Sequence, residues 1–144
     1  MTEADRLVEQ TLRRRLGRAR PGDGVLGEEY GGSGAGGRRW IVDPIDGTRN
    51  YARGVPVWAT LIALEEDGAV RVGVVSAPAL GRRWWAARGR GAFALGEPIR
   101  VSRVARVEDA VLCFALEQPL PGVARRCWHP RAFGDFWAHM LVAE

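Results

Sequence analysis

Hydrophobic and polar positions divide the chain into a helical opening, a long alternating middle and a short helical end. Over residues 3–19 Val8, Leu12 and Leu16 recur at i, i+4 among charged residues, which predicts an amphipathic helix. Thr2 is placed as its N-cap, and Asp5 three residues on completes a variant of the capping box. The helix is expected to end between Gly17 and Pro21. After the apolar pair Val25-Leu26, the segment Gly31-Gly32-Ser33-Gly34-Ala35-Gly36-Gly37 holds too many glycines for either period, so a mobile surface loop is expected there.

From Trp40 the pattern becomes short β-rich runs. Trp40–Asp43, Val57–Glu65, Val70–Ser76, Trp84–Ala87, Ala92–Leu95 and Ile99–Val101 read as strands. Glu66-Asp67-Gly68-Ala69 and Gly89-Arg90-Gly91 sit between neighbouring runs as hairpin turns, which predicts an antiparallel meander. Val107–Ala110 reads as a helical turn and Val111–Ala115 as a further strand. Phe133, Trp137 and Leu141, with Phe136 and Met140 alongside, have the spacing of a closing helix that runs to the last residue without a cap signal. That abrupt end is expected of a chain that stops inside a larger architecture.

With 144 residues, 47 % of them hydrophobic and 26 % charged, the chain has room for one globular domain, or one and part of another, and is no disordered polymer. All 21 basic residues are Arg, a bias attributable to a GC-rich coding sequence. They are scattered in pairs such as Arg38-Arg39, Arg82-Arg83 and Arg125-Arg126, so the net charge of +4 marks no nucleic-acid footprint. The acidic start Met1-Thr2-Glu3-Ala4-Asp5 is unlike a secretory signal, and no apolar run approaches the ~20 residues of a membrane span. A cytoplasmic protein with neither nucleic-acid nor membrane partners is expected. Cys113 and Cys127 form no CxxC pair and read as packing residues, and His129 and His139 show no ligand spacing.

The chemistry concentrates in Trp40-Ile41-Val42-Asp43-Pro44-Ile45-Asp46-Gly47-Thr48-Arg49-Asn50-Tyr51. An apolar strand delivers Asp43 to its end, Pro44 fixes the chain direction and Asp46 follows three residues on, so one turn presents two carboxylates that repel unless a cation lies between them. Oxygen donors without His or Cys favour Mg²⁺, which takes one or two carboxylates and completes its shell with water and phosphate. Gly47 and Thr48 can open a short helix whose N–H groups face an anion. Taken alone, Asp-Pro-x-Asp-Gly reads equally as a turn with solvated carboxylates, the Glu28-Glu29 pair as solvated surface, and Asp5 as first-turn compensation of the helix dipole.

The segment from Trp40 to Tyr51 closely resembles the DPIDGTxN signature of the inositol monophosphatase family. Gly27-Glu28-Glu29 resembles that family's upstream GEE motif and Thr2-Glu3-Ala4-Asp5 its TxxD helix start, all in family order. Val72–Ala79 and Arg82–Phe93 look most like the histidinol-phosphatase branch found in actinobacteria. The resemblance implies an α+β fold, a layered α/β sandwich of the sugar-phosphatase type with a central antiparallel sheet. It implies a Mg²⁺-dependent phosphomonoesterase acting on a small phosphorylated substrate, as a homo-oligomer, dimeric by family resemblance. Glu28, Asp43 and the Ile45 carbonyl would hold a first metal, with Asp43 bridging to a second also bound by Asp46. Asp5 and Thr48 would orient the attacking water, and the Gly47 and Thr48 amides would grip phosphate. Arg131, Gly134, Asp135 and Phe136 match a segment that opens a helix beside the organic part of the substrate, where Asp135 could face a cationic imidazole or amine. Without the resemblance, Asp135 reads as a helix N-cap.

Family members carry a further Trp-Asp metal-ligand motif beyond the position of Trp137 and an additional first helix, and the stretch between Ala115 and Arg126 is shorter than their crossover. A truncated form of the fold is therefore expected, with an N-terminal metal and phosphate domain over 1–106 and a partial α/β domain over 107–144. One weakly held Mg²⁺ and self-association through uncovered apolar faces are expected of it. Three functions compete at this point: a phosphatase for histidinol phosphate, or for inositol and related sugar phosphates; a non-catalytic metal-binding remnant; and an Arg-rich nucleic-acid binder.

Overall fold

Helix α1 spans Glu3–Ala19, and the Asp5 carboxylate closes its first turn by accepting the Thr2 hydroxyl at 2.6 Å and the Thr2 backbone N–H. Its inward stripe differs from the apolar one that periodicity suggests. Asp5 and Glu9 are its wholly buried residues, while Val8, Leu12 and Leu16 stay partly exposed. The computed structural model describes residues 1–34, 36–115 and 122–144, which fall into two units, Met1–Pro98 and Ile99–Glu144.

Eight strands follow α1: β1 (Gly24–Gly27), β2 (Gly31–Ser33), β3 (Arg38–Asp46), β4 (Ala59–Glu66), β5 (Ala69–Ala77), β6 (Arg82–Ala87), β7 (Gly91–Ala94) and β8 (Glu97–Ile99). They form one sheet in the order β2-β1-β3-β4-β5-β6-β7-β8. From β3 to β7 each strand pairs antiparallel with the next, so the expected meander is present. The β4–β5 turn is a two-residue one with Asp67 at φ 52° and Gly68 at φ 74°, the mirror-image geometry that matches the twist of flanking strands.

Three expectations are corrected. Gly31–Ser33 is an edge strand, pairing antiparallel with β1 from Val25↔Ser33 to Gly27↔Gly31, where a mobile loop was expected. The side chain of Arg13 on α1 binds the Gly31 carbonyl and the Ser33 hydroxyl, a tertiary hold that no periodicity registers; Ala35 of the same segment lies outside the described residues. The strand read at Ile99–Val101 lies at Glu97–Ile99, because Leu95-Gly96, with φ of 52° and 96°, turns the chain immediately after β7. Finally, β1 runs parallel to β3, Gly24↔Arg39 to Gly27↔Val42, so the sheet is mixed at that edge and antiparallel from β3 to β7.

In the second unit β9 (Val111–Cys113) pairs in parallel with β10 (His129–Arg131), and helix α3 spans Asp135–Ala143. The expected short crossover between Ala115 and Arg126 lies partly outside the described residues. The chain is an α+β protein, and among its described residues no helix is long and apolar enough to cross a membrane.

Candidate metal centre

Parallel pairing of β1 with β3 brings two carboxyl-terminal strand ends together, the usual place for a ligand in such sheets. Glu28 follows β1 directly, its N–H donating to the Val42 carbonyl at 3.2 Å, and Asp43 follows Val42 on β3. Asp43 pairs with Leu61 and Asp46 with Ala59, so β3 carries one extra residue between them. Residues three apart on an unbroken strand face opposite ways; a one-residue bulge restores them to one side. Pro44 sits in that bulge, where its missing N–H costs no ladder bond, and its carbonyl accepts the Thr60 hydroxyl at 2.8 Å. Gly47, at φ 85°, then turns the chain into α2 (Thr48–Ala52), which Asn50 ties to the segment leading into β4 by donating to the Val57 carbonyl at 2.8 Å.

This corner is electrostatically unsettled. Burial, then the charges of Glu28 and Asp46, then hydrogen-bond contact with the Glu28 carboxyl push the Asp43 carboxyl up to about 7, against the lowering effect of the Ile45 N–H. Its Oδ1 is buried with no hydrogen-bond partner. Glu29 is raised too, by burial and then by Asp5 and Glu28, and its Oε2 is likewise buried and unpartnered. An all-oxygen, mutually repelling donor set of this kind fits a hard divalent cation. Among the described residues no three His, Cys, Asp or Glu side chains already stand as a ready-made cage. Glu28 is solvent-exposed, and the Ile45 carbonyl accepts the Thr48 hydroxyl at 2.9 Å.

Thr48 also lies 3.3 Å from Asp5 Oδ1, so α1 and α2 meet at their N-termini and Asp5, Thr48 and Ile45 are joined. The structure thus gathers Asp5, Glu28, Asp43, Ile45, Asp46, Gly47 and Thr48 in the first unit. Arg131, Gly134, Asp135 and Phe136 belong to the second. Arg131 is exposed at the end of β10, and Phe136 is 2 % exposed within α3. The cap position of α3 falls on Gly134, and Asp135 is its first helical residue at φ 55°, which corrects the N-cap reading of Asp135. A cavity of about 480 Å³ between Ser76, Pro78, Arg82, Arg83 and Trp85 touches none of these residues.

The sequence reading passed over Glu9. Its signal was its spacing, four residues after Asp5 and four before Arg13 on one face of the helix, beside the apolar stripe of Val8, Leu12 and Leu16.

A family model described as Inositol monophosphatase family matches residues 1–119. The histidinol-phosphatase of Mycobacterium tuberculosis is 57 % identical over an alignment that takes in all of this chain and 61 % of that protein. The histidinol-phosphatase of Streptomyces coelicolor is 49 % identical with the same coverage of each. The crystal structure of the extragenic suppressor protein suhB from Bartonella henselae superposes with a TM-score of 0.90 at 35 % identity, covering 99 % of this chain and 61 % of that one. The chain spans about 61 % of the length of these relatives.

Proposed function

The chain belongs to the inositol monophosphatase family, and from that premise we propose that it carries the metal and phosphate corner of a Mg²⁺-dependent phosphomonoesterase whose substrate is histidinol phosphate. The observation that carries this reading is the buried, unpartnered Oδ1 of Asp43 with Glu28 and Asp46 beside it. The choice of substrate is supported by the two relatives named histidinol-phosphatase, at 57 % and 49 % identity. A homodimer, by family resemblance, is part of the same proposal.

Glu28, Asp43, Asp46 and the Ile45 carbonyl would hold the metal. When bound, Mg²⁺ offsets the charge of a phosphomonoester and lowers the pKa of an attached water toward ~7. The chain's own groups do the rest. Asp5 has one oxygen committed to Thr2 and the other 3.3 Å from the Thr48 hydroxyl, which also reaches the Ile45 carbonyl at 2.9 Å; with its single proton directed to one of these two acceptors, the Thr48 hydroxyl presents a lone pair that can accept a hydrogen from the attacking water and orient it. The Gly47 and Thr48 amides, at the turn into α2, would hold phosphate oxygens. Asp135, exposed at the start of α3, would meet the cationic end of the substrate, with Arg131, Gly134 and Phe136 shaping that segment.

Phosphate release from histidinol phosphate and from inositol 1-phosphate, with and without Mg²⁺, tests this reading against Asp43→Asn. Mg²⁺-dependent release that is faster with histidinol phosphate and abolished by the substitution is expected. Faster release from inositol 1-phosphate moves the substrate to the sugar phosphates. A folded sample no better than Asp43→Asn, yet still binding Mg²⁺, moves the reading to a metal-binding remnant without catalysis.

A further inference from the structure

Glu9 is a buried carboxylate that the proposed chemistry leaves unused. Three donors converge on its two oxygens: Arg13 Nε at 2.8 Å and the Tyr30 N–H at 3.3 Å on Oε1, and the Glu29 N–H at 2.8 Å on Oε2. Both amides belong to the turn between β1 and β2 that opens with Glu28. Arg13 grips the far side of that turn through the Gly31 carbonyl and through the Ser33 hydroxyl at 3.0 Å, and Gln10 donates to the Tyr30 hydroxyl at 2.6 Å. Gly27 completes the fit, because a Cβ there would lie 1.9 Å from Glu9 Oε1; the carboxylate fills the space a side chain would need.

We propose that Glu9, with Arg13, is a positioning residue: it fixes the Glu28-Glu29-Tyr30 turn so that the Glu28 carboxylate stands beside Asp43, and through that placement it sets the affinity of the corner for a divalent cation. The inference rests on the metal reading above. Only a side chain with two acceptor oxygens at this reach serves all three donors; an amide brings one oxygen and turns an N–H toward the others. Glu9 touches neither substrate nor metal in this account and acts through the turn alone. Groups that hold a metal ligand in place typically govern affinity nearly as strongly as the ligands do.

The test uses the whole chain with Mn²⁺ as the probe, free Mn²⁺ being read by electron paramagnetic resonance, and amide hydrogen exchange followed in parallel without metal. Glu9→Gln is expected to weaken Mn²⁺ binding by about 10-fold or more. It should also speed exchange of the Glu29 and Tyr30 amides while protection in β4 and β5 persists. Arg13→Lys, which keeps the charge and loses the guanidinium fork, serves if Glu9→Gln does not fold, and a smaller loss in the same direction is expected of it. Unchanged Mn²⁺ affinity in a folded variant whose turn amides have loosened overturns the proposal, since Glu9 would then be structural only. If the unmodified chain binds no Mn²⁺, the metal reading has failed and the affinity claim that rests on it falls with it, whereas Mn²⁺ binding by the unmodified chain that Glu9→Gln leaves unchanged overturns the positioning claim alone. In a chain without Mn²⁺ binding, loosened Glu29 and Tyr30 amides in Glu9→Gln would leave Glu9 as a structural clasp only.

Discussion

Glu9 and Asp43 are two carboxylates drawn from water in one unit and treated in opposite ways. Glu9, on α1, has every donor it can use: an arginine and two backbone amides. Asp43, on β3, faces Glu28 and Asp46 and leaves Oδ1 without a donor. A buried charge that is fully hydrogen-bonded is costly to disturb, while a buried charge set against its own kind is costly to keep. The difference separates a carboxylate that holds the fold from one that the fold holds in readiness for a cation.

The same change, carboxylate to amide, should therefore have opposite results at the two sites. The largest effect is on turnover: Asp43→Asn is expected to reduce Mg²⁺-dependent phosphate release to the metal-free background, measured as inorganic phosphate. Next is stability at Glu9, where Glu9→Gln is expected to cost about 3 kcal/mol in urea unfolding, because it breaks a buried ion pair and leaves amides short of an acceptor. Stability losses of the same sign at both sites would collapse the distinction.

Smaller, and opposite in sign, is the effect of Asp43→Asn on the metal-free chain. The Asp43 carboxyl titrates near 7 when folded, raised from 3.8. Its stabilising contribution is therefore complete below about pH 4 and is lost as pH rises toward 7, where the unfolded chain ionises and the folded one resists. The metal-free chain should be less stable at pH 8 than at pH 5. Asp43→Asn should flatten that slope and raise stability at pH 8 by about 1–2 kcal/mol, a figure reduced for the partial solvent exposure of the site. Added Mg²⁺ should remove the pH dependence of the unmodified chain and leave that of the variant unchanged. Smallest of all, Arg106→Ala breaks pairs with Glu108 and Asp109 on the exposed surface, both at 3.7 Å, and no measurable change in Tm is expected.

Sequence pattern alone marks most of these elements, because each is written in local residues. The i, i+4 series of α1, the Asp67-Gly68 turn and the alternation of β4 and β5 are of this kind. The candidate site was legible for another reason: Asp43, Asp46, Gly47 and Thr48 are consecutive features of one turn, and the family's signature makes that turn recognisable. What the pattern does not carry is pairing between distant segments. The parallel β1–β3 contact that brings Glu28 to Asp43 depends on strands 15 residues apart in register, Gly24 to Arg39. The hold of α1 on the glycine-rich edge depends on one arginine crossing 18 and 20 residues to Gly31 and Ser33. Glu9 went unnoticed because a Glu in a helix is ordinarily solvated; only its neighbours in space reveal it as buried.

The sheet order also bears on how the chain folds. From β4 onward each strand lies against its chain neighbour across a short connection, so those hairpins close small loops and are expected to form readily. The β1–β3 contact and the clasp of α1 on the turn after β1 close longer loops, and they add the Glu28 charge to a corner that already holds Asp43 and Asp46. That contact thus adds a third like charge to the corner, and a chain refolding with Mg²⁺ present is expected to close this edge faster than one without it, a difference that refolding rates measured with and without Mg²⁺ would read.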